Sequence, residues 1–142
     1  MRHVKDIMTQ DVYVLYANDD FDFVQTLIKS RHTRYIPIVD RKGFFVGLLT
    51  HRDLLSLAVS RSADMKNNEH ESLNGHIPIK KIMQKGIMTA DPEMNLSTAL
   101  SIFSKNTVGC LPVVSNKKLV GILTEADFLG LTFNYLRIFE NE

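Results

Sequence analysis

The chain has 142 residues, 44% of them hydrophobic, a formal net charge of +1 and a single cysteine, Cys110. That length holds one ordinary domain or two very small ones with a real core, and the charge balance gives no electrostatic reason to expect nucleic acid or an anionic membrane as the main partner. The apolar run Phe44 to Leu49 is far too short to span a bilayer, MRHVKDIMTQD contains no continuous apolar signal segment, and one cysteine excludes an intrachain disulfide, so the expectation is a soluble cytoplasmic protein.

In chain order the elements come twice. VKDIM at 4–8 returns as IKKIM at 79–83, an offset of 75 that also pairs Val12 with Ile87, Phe21 with Leu96, Val24 with Ala99, Ile28 with Phe103 and Pro37 with Pro112. Beyond YIPIVD and CLPVVS the offset falls to 74, pairing Gly47 with Gly121, Thr50 with Thr124 and Asp53 with Asp127. A fixed period with one gap is the mark of a tandem duplication.

Each copy opens with a short strand expected around Val12–Val14, or Ile87–Thr89. A helix follows, capped by Asp20 or Asn95, with one apolar face formed by Phe21, Val24 and Ile28, or by Leu96, Ala99 and Phe103. Two apolar strands come next, Tyr35–Val39 with Phe44–Leu49 and Cys110–Val114 with Leu119–Leu123, joined by turns at 41–43 and 115–117. A second helix starts at Thr50 or Thr124. The unit is therefore β-α-β-β-α, an α/β (α+β) class. The expected boundaries are 1–59 for the first repeat, 60–76 for a polar linker, and 77–142 for the second repeat with a C-terminal helical extension. That extension carries Phe128, Leu129, Thr132, Tyr135, Leu136 and Phe139, a broad apolar stripe that either packs on its own domain or dimerises.

The turns GLLTHRDLL (47–55) and GILTEADFL (121–129) each place a threonine three residues before an aspartate. This is a capping-box-like signal, and helix capping alone is a sufficient reason for either copy. Its repetition beside a repeated strand proline points further. Proline cannot donate to a ladder, so Pro37 and Pro112 favour a strand edge or entrance whose backbone groups remain free to read a flat heterocycle. A carboxylate at a helix start can accept two hydrogen bonds from a vicinal diol, and a helix N-terminus attracts phosphate. Base, ribose and phosphate are the parts of a nucleotide.

DIMT, YIPIVD and GLLTHRDLL, with KIMQ, CLPVVS and GILTEADFL in the second copy, together resemble the CBS domain, named for cystathionine β-synthase. The resemblance spans residues 4–57 and 79–131. It implies a tandem pair packed sheet to sheet about a pseudo-twofold axis, with two clefts that in many members bind AMP, ADP, ATP or S-adenosylmethionine. It carries the ribose and phosphate contacts onto Thr50 and Asp53, and onto Thr124 and Asp127. The adenine contacts fall on Tyr35, Ile36 and Pro37, and on Cys110, Leu111 and Pro112. First-strand residues, Thr9 to Val12 and Gln84 to Ile87, close the base pocket in the family, with Gln84 standing where the other copy has Thr9. It also implies a disc-like homodimer formed through helices.

No chemistry competes with that reading. His3, His32, His51, His70 and His76 show no metal-binding spacing, Cys110 reads as a small buried side chain, and the glycines form neither GxGxxG nor a P-loop, so neither an enzyme nor a metal site is expected. The expectation is a regulatory module for an adenine nucleotide, acting in trans on an unknown effector protein. The alternative is a structural homodimerisation module with vestigial clefts. Arg52, beside Asp53 in a helix's first turn, has Ala126 as its counterpart, so phosphorylated ligands are expected to prefer the Thr50–Asp53 site.

Overall fold

The computed structural model describes residues 2–20, 34–56, 78–106 and 108–140. The expected helix face of Phe21, Val24 and Ile28, the linker at 60–76, and His32, His70 and His76 lie outside the described residues. The described chain forms α1 (Val4–Ile7), β1 (Leu15–Tyr16), β2 (Tyr35–Val39), β3 (Phe45–Thr50) and a helix α2 over residues 51–56. A 3-10 turn at Ile79–Lys81, α3 (Leu96–Asn106), β4 (Cys110–Ser115), β5 (Lys118–Thr124) and α4 (Glu125–Glu140) complete it.

The chain divides into two compact units: Tyr13–Ile87, and Met1–Val12 joined with Met88–Glu142. These units do not follow the repeat order of the sequence, because the leading segments are exchanged. Residues 4–9, which open the first repeat, pack on the body of the second; residues 79–84, which open the second, pack on the body of the first.

In the unit Tyr13–Ile87 the sheet order is β1-β2-β3, with β1 parallel to β2 and β2 antiparallel to β3. Its core holds Leu15, Ile36, Ile38, Leu49, Leu54 and Ile79, with Ile82 and Met83 packed against it. Ile79 is fully buried and is fixed by backbone bonds from Ile79 N to Asp19 O and from Lys80 N to Ala17 O. Gln84 then lies beside β3, exchanging bonds with Leu48 in both directions at 2.8 and 3.0 Å.

The other unit repeats this arrangement with exchanged ownership. β4 and β5 pair antiparallel, and Ala90 makes a single parallel bridge to Val113. The core is Val4, Ala90, Ala99, Phe103, Leu111, Val113 and Leu123, with Ile7, Met8 and Phe128 against it. Val4 N donates to Met94 O and Lys5 N to Pro92 O, while Thr9 exchanges two backbone bonds with Ile122. Ile36 and Ile38, or Leu111 and Val113, point to one face of their strand and into the core, and the residues between them, Pro37 and Pro112, are buried as well.

The first strands begin later than the sequence suggests. Residues 12–14 precede the strand: Val12 N turns back to Gln10 O, and the ladder starts at Leu15 opposite Ile38. In the second copy it shrinks to the bridge at Ala90. The longer strands run within a residue of expectation, and Asn95 directly precedes α3.

The two hairpins account for the change of offset. Asn116 and Lys117 both have positive φ, 52° and 69°, the signature of a tight two-residue type I′ turn. The first hairpin is a residue longer and is held by Asp40, whose Oδ1 accepts from Lys42 N and Phe44 N, with Gly43 at φ 86°.

Pro37 is not at a sheet edge, which corrects the expectation for it, whereas Pro112 lies in a strand of a two-stranded sheet. β2 is the middle strand of three, and Pro37 is buried opposite Leu48. Proline is tolerated because the flanking first strand is so short and a register shift follows at once, at Ile38/Val39 and Val113/Val114. Pro112 O accepts from Ala90 N and Val114 N donates to Ala90 O, so Pro112 turns its missing N–H toward the side where the ladder is only beginning.

Candidate ligand site

Both Thr-x-x-Asp turns sit at the junction of a strand and a helix, and each is built beside the start of the proline strand. Tyr35 pairs across the ladder with Thr50, and Cys110 with Thr124, so the segment expected to read a base lies next to the turn expected to hold ribose and phosphate. His51 N donates to Arg34 O and draws the two chain segments together.

In the first turn the capping box is complete. Asp53 N donates to Thr50 Oγ1 at 3.1 Å, and Thr50 N donates to Asp53 Oδ2 at 3.1 Å, which satisfies donors at the start of α2 in both directions. In the second turn Thr124 N donates to Asp127 Oδ2 at 2.8 Å, and the Thr124 hydroxyl also donates to that oxygen at 3.3 Å. Thr50, Asp53, Thr124 and Asp127 are half-buried, and Arg52 is exposed.

The leading segments bring a second set of donors. Gln84 Nε2 reaches both oxygens of Asp53, at 3.1 Å to Oδ1 and 2.9 Å to Oδ2. The Thr9 hydroxyl donates to Asp127 Oδ1 at 3.1 Å. Thr9 and Val12 therefore belong with Cys110, Leu111, Pro112, Thr124 and Asp127, whereas Gln84 and Ile87 belong with Tyr35, Ile36, Pro37, Thr50, Arg52 and Asp53. Gln84, which stands where the other copy has Thr9, is a direct partner of the motif carboxylate. The signal in the sequence was its position, one residue after a methionine that matches Met8.

Several expected contacts are redirected by burial. Ile36 and Leu111 are 1% and 0% exposed and face the cores, so their side chains are spent on packing, and the two segments offer a ligand chiefly backbone and the side chains at their entrances. Cys110 is also buried, and burial pushes its thiol up to about 12, which keeps it protonated and unreactive near neutral pH. A cleft of about 620 Å³ lined by Tyr16, Asn18, Asp19, Asp40, Arg41 and Lys42 lies at the hairpin end of the first sheet and contains none of the expected ligand-contact residues. Among the described residues no cluster of His, Cys, Asp and Glu could hold a metal ion, and no helix is long and apolar enough to cross a membrane.

The family model for the CBS domain matches residues 4–60 and 79–133, once for each repeat. The chain belongs to the CBS domain family. Solved structures share the tandem CBS fold over nearly the whole chain. AcuB from Vibrio cholerae has a TM-score of 0.81 at 29% identity, covering 100% of this chain and 98% of that one. CBSX2, solved in complex with AMP, has a TM-score of 0.78 at 22% identity over 95% and 98% of the two chains. The CBS domain pair of protein MJ0100, in complex with 5′-methylthioadenosine and S-adenosyl-L-methionine, has a TM-score of 0.75 at 22% identity, covering 94% and 97%.

Proposed function

We propose that this CBS pair is a regulatory module that binds an adenosine-containing ligand, of the class AMP, ADP, ATP or S-adenosylmethionine, and acts in trans on a partner protein. The observation that carries the reading is the repeated turn itself. In both units a half-buried aspartate stands at a helix start, beside the entrance of the proline strand. That is a carboxylate for a ribose diol, a helix N-terminus for phosphate, and backbone at hand for a base. The adenosyl ligands of CBSX2 and of the MJ0100 pair support the same choice.

The roles follow residue by residue. Asp53 and Asp127 take the ribose, Thr50 and Thr124 with the helix starts take the phosphate or its substitute, and the backbone around Pro37 and Pro112 faces the adenine. Arg52 adds a cation at the first site only, because Glu125 and Ala126 occupy the two positions before Asp127.

Calorimetric titration with AMP, ADP, ATP and S-adenosylmethionine up to millimolar concentration tests this directly. Saturable heat with at least one of them is expected. Asp53→Asn or Asp127→Asn should weaken it about ten- to a hundred-fold, the loss of a hydrogen bond to a charged group. Absence of heat with all four would discard the reading.

A second reading, a structural homodimerisation module, has its own support. Both carboxylates are already engaged as helix caps, and α4 displays Leu129, Phe133, Tyr135, Leu136, Ile138 and Phe139 at 53–70% exposure. An apolar face of that extent on one chain is the kind that a second copy covers. Vestigial clefts would exclude ligand binding but a homodimer does not, and we take the homodimer to assemble through α4.

A further inference from the structure

We propose that Gln84 is a built-in competitor for the Asp53 carboxylate, and that it makes the Asp53 site the weaker of the two toward a ribose diol. This rests on reading the two turns as adenosyl-ligand sites.

A vicinal diol binds a carboxylate by donating one O–H to each oxygen. At Asp53 one group already spans that fork, because the Gln84 amide nitrogen stands 3.1 Å from Oδ1 and 2.9 Å from Oδ2. The Thr50 N–H uses Oδ2 as well. An NH₂ group has only protons to offer, so it and the diol are rivals for the same lone pairs.

The Asp127 site differs in kind. Its counterpart side chain, Thr9, donates to Oδ1 alone, and the Thr124 donors both fall on Oδ2. A hydroxyl both donates and accepts, so Thr9 can keep its bond to Asp127 and accept a proton from the ligand in turn. Each carboxylate already accepts three bonds, one on Oδ1 and two on Oδ2. At Asp53 a diol must displace an amide that spans both oxygens, whereas at Asp127 two of the three donors are hydroxyls that can turn to other acceptors.

Charge alone ranks the sites the other way, since Arg52 favours phosphate beside Asp53. Gln84 opposes that preference at the ribose. Its backbone is pinned to Leu48 by two bonds, so the segment stays in place while the exposed side chain alone exchanges. The residue at position 84, and not the motif, then sets how far the first site lags.

The test isolates one site at a time. In full-length Asp127→Asn protein, whose shape-preserving substitution keeps the cap, AMP binding is measured by calorimetry with Gln84 present and with Gln84→Thr. The dissociation constant is expected to fall about tenfold on Gln84→Thr, the release of a bond to a charged group. The converse exchange, Thr9→Gln in Asp53→Asn protein, is expected to raise it similarly. Circular dichroism confirms that each variant is folded, which an exposed side chain permits. AMP affinity that is unchanged or weakened by Gln84→Thr overturns the proposal and leaves the ligand reading standing. No binding of AMP, ATP or S-adenosylmethionine by the unsubstituted protein overturns the ligand reading, and this proposal with it.

Discussion

The sulfur of Met83 lies against Gly47 so closely that a Cβ on that glycine would stand 2.6 Å from it, and Met8 covers Gly121 in the same way at 2.7 Å. The contact is what lets a leading segment cross a strand: the backbone oxygens of Gln84 and Thr9 would lie 3.0 and 2.9 Å from the two added carbons. Gly47→Ala and Gly121→Ala should therefore each destabilise the protein by about 1–3 kcal/mol, the usual cost of overpacking. Urea unfolding measures it. Removing the sulfur with Met83→Ala should relieve Gly47→Ala only in part, because the Gln84 backbone remains. Full relief would show that the glycine serves the side chain alone.

Ile79 and Val4 are the buried anchors of the exchanged segments, both 0% exposed. Ile79→Ala should cost about 2–5 kcal/mol and Val4→Ala somewhat less. Hydrogen exchange distinguishes the exchange from a simple repeat order. Ile79→Ala should lose protection mainly in β2 and β3, and Val4→Ala mainly in β4 and β5. The reverse pattern would mean that each leading segment packs with its own repeat in solution.

Asp6 gives α1 a pH dependence. Its carboxylate accepts from His3 N at 2.9 Å and Arg2 N at 3.0 Å, and these bonds, His3's first, hold its pKa below the ordinary value of 3.8. A lowered folded pKa contributes stability that is complete above the unfolded value and fades as pH falls through the folded one. Amide exchange in residues 4–8, normalised for its intrinsic pH dependence, should thus show firm docking at pH 6 and loosening below about pH 3.8. Asp6→Asn should flatten that acid limb. A limb of unchanged steepness in Asp6→Asn would assign it to another carboxylate.

The end of α4 takes no part in either core. Residues 132–140 are exposed, and the buried core of their unit is made entirely of other residues. Deleting 132–142 should leave the unfolding transition largely intact and shift sedimentation from dimer to monomer. A dimer that survives the deletion would place the interface on other helices, and loss of the folded state would return the stripe to the core. Phe128 stays in the truncated chain because it stacks edge-on against Phe103, with ring centroids 5.4 Å apart.

The sequence by itself determined the duplication, the four long strands to within a residue, the threonines that start both second helices, and the aspartates that complete their caps. Each of these rests on local chemistry: short apolar runs, turn residues, and a side chain reaching a backbone N–H three residues away. It also held the cause of the gap between repeats, since Asn116-Lys117 makes a shorter turn than the Asp40-clasped loop with Gly43. Tertiary structure decided where the leading segments go. An offset of 75 states which residues are equivalent, but Val4 and Ile79 are apolar alike, so the pattern cannot say which copy receives which segment. That choice pairs Thr9 with Asp127 and Gln84 with Asp53, across separations of 118 and 31 residues. It also set the first strands later than Val12–Val14, because strand limits follow the available partner and not the apolar run. The difference between a hydroxyl and an amide on the motif carboxylates was in the sequence all along, and only the fold brought each to its aspartate.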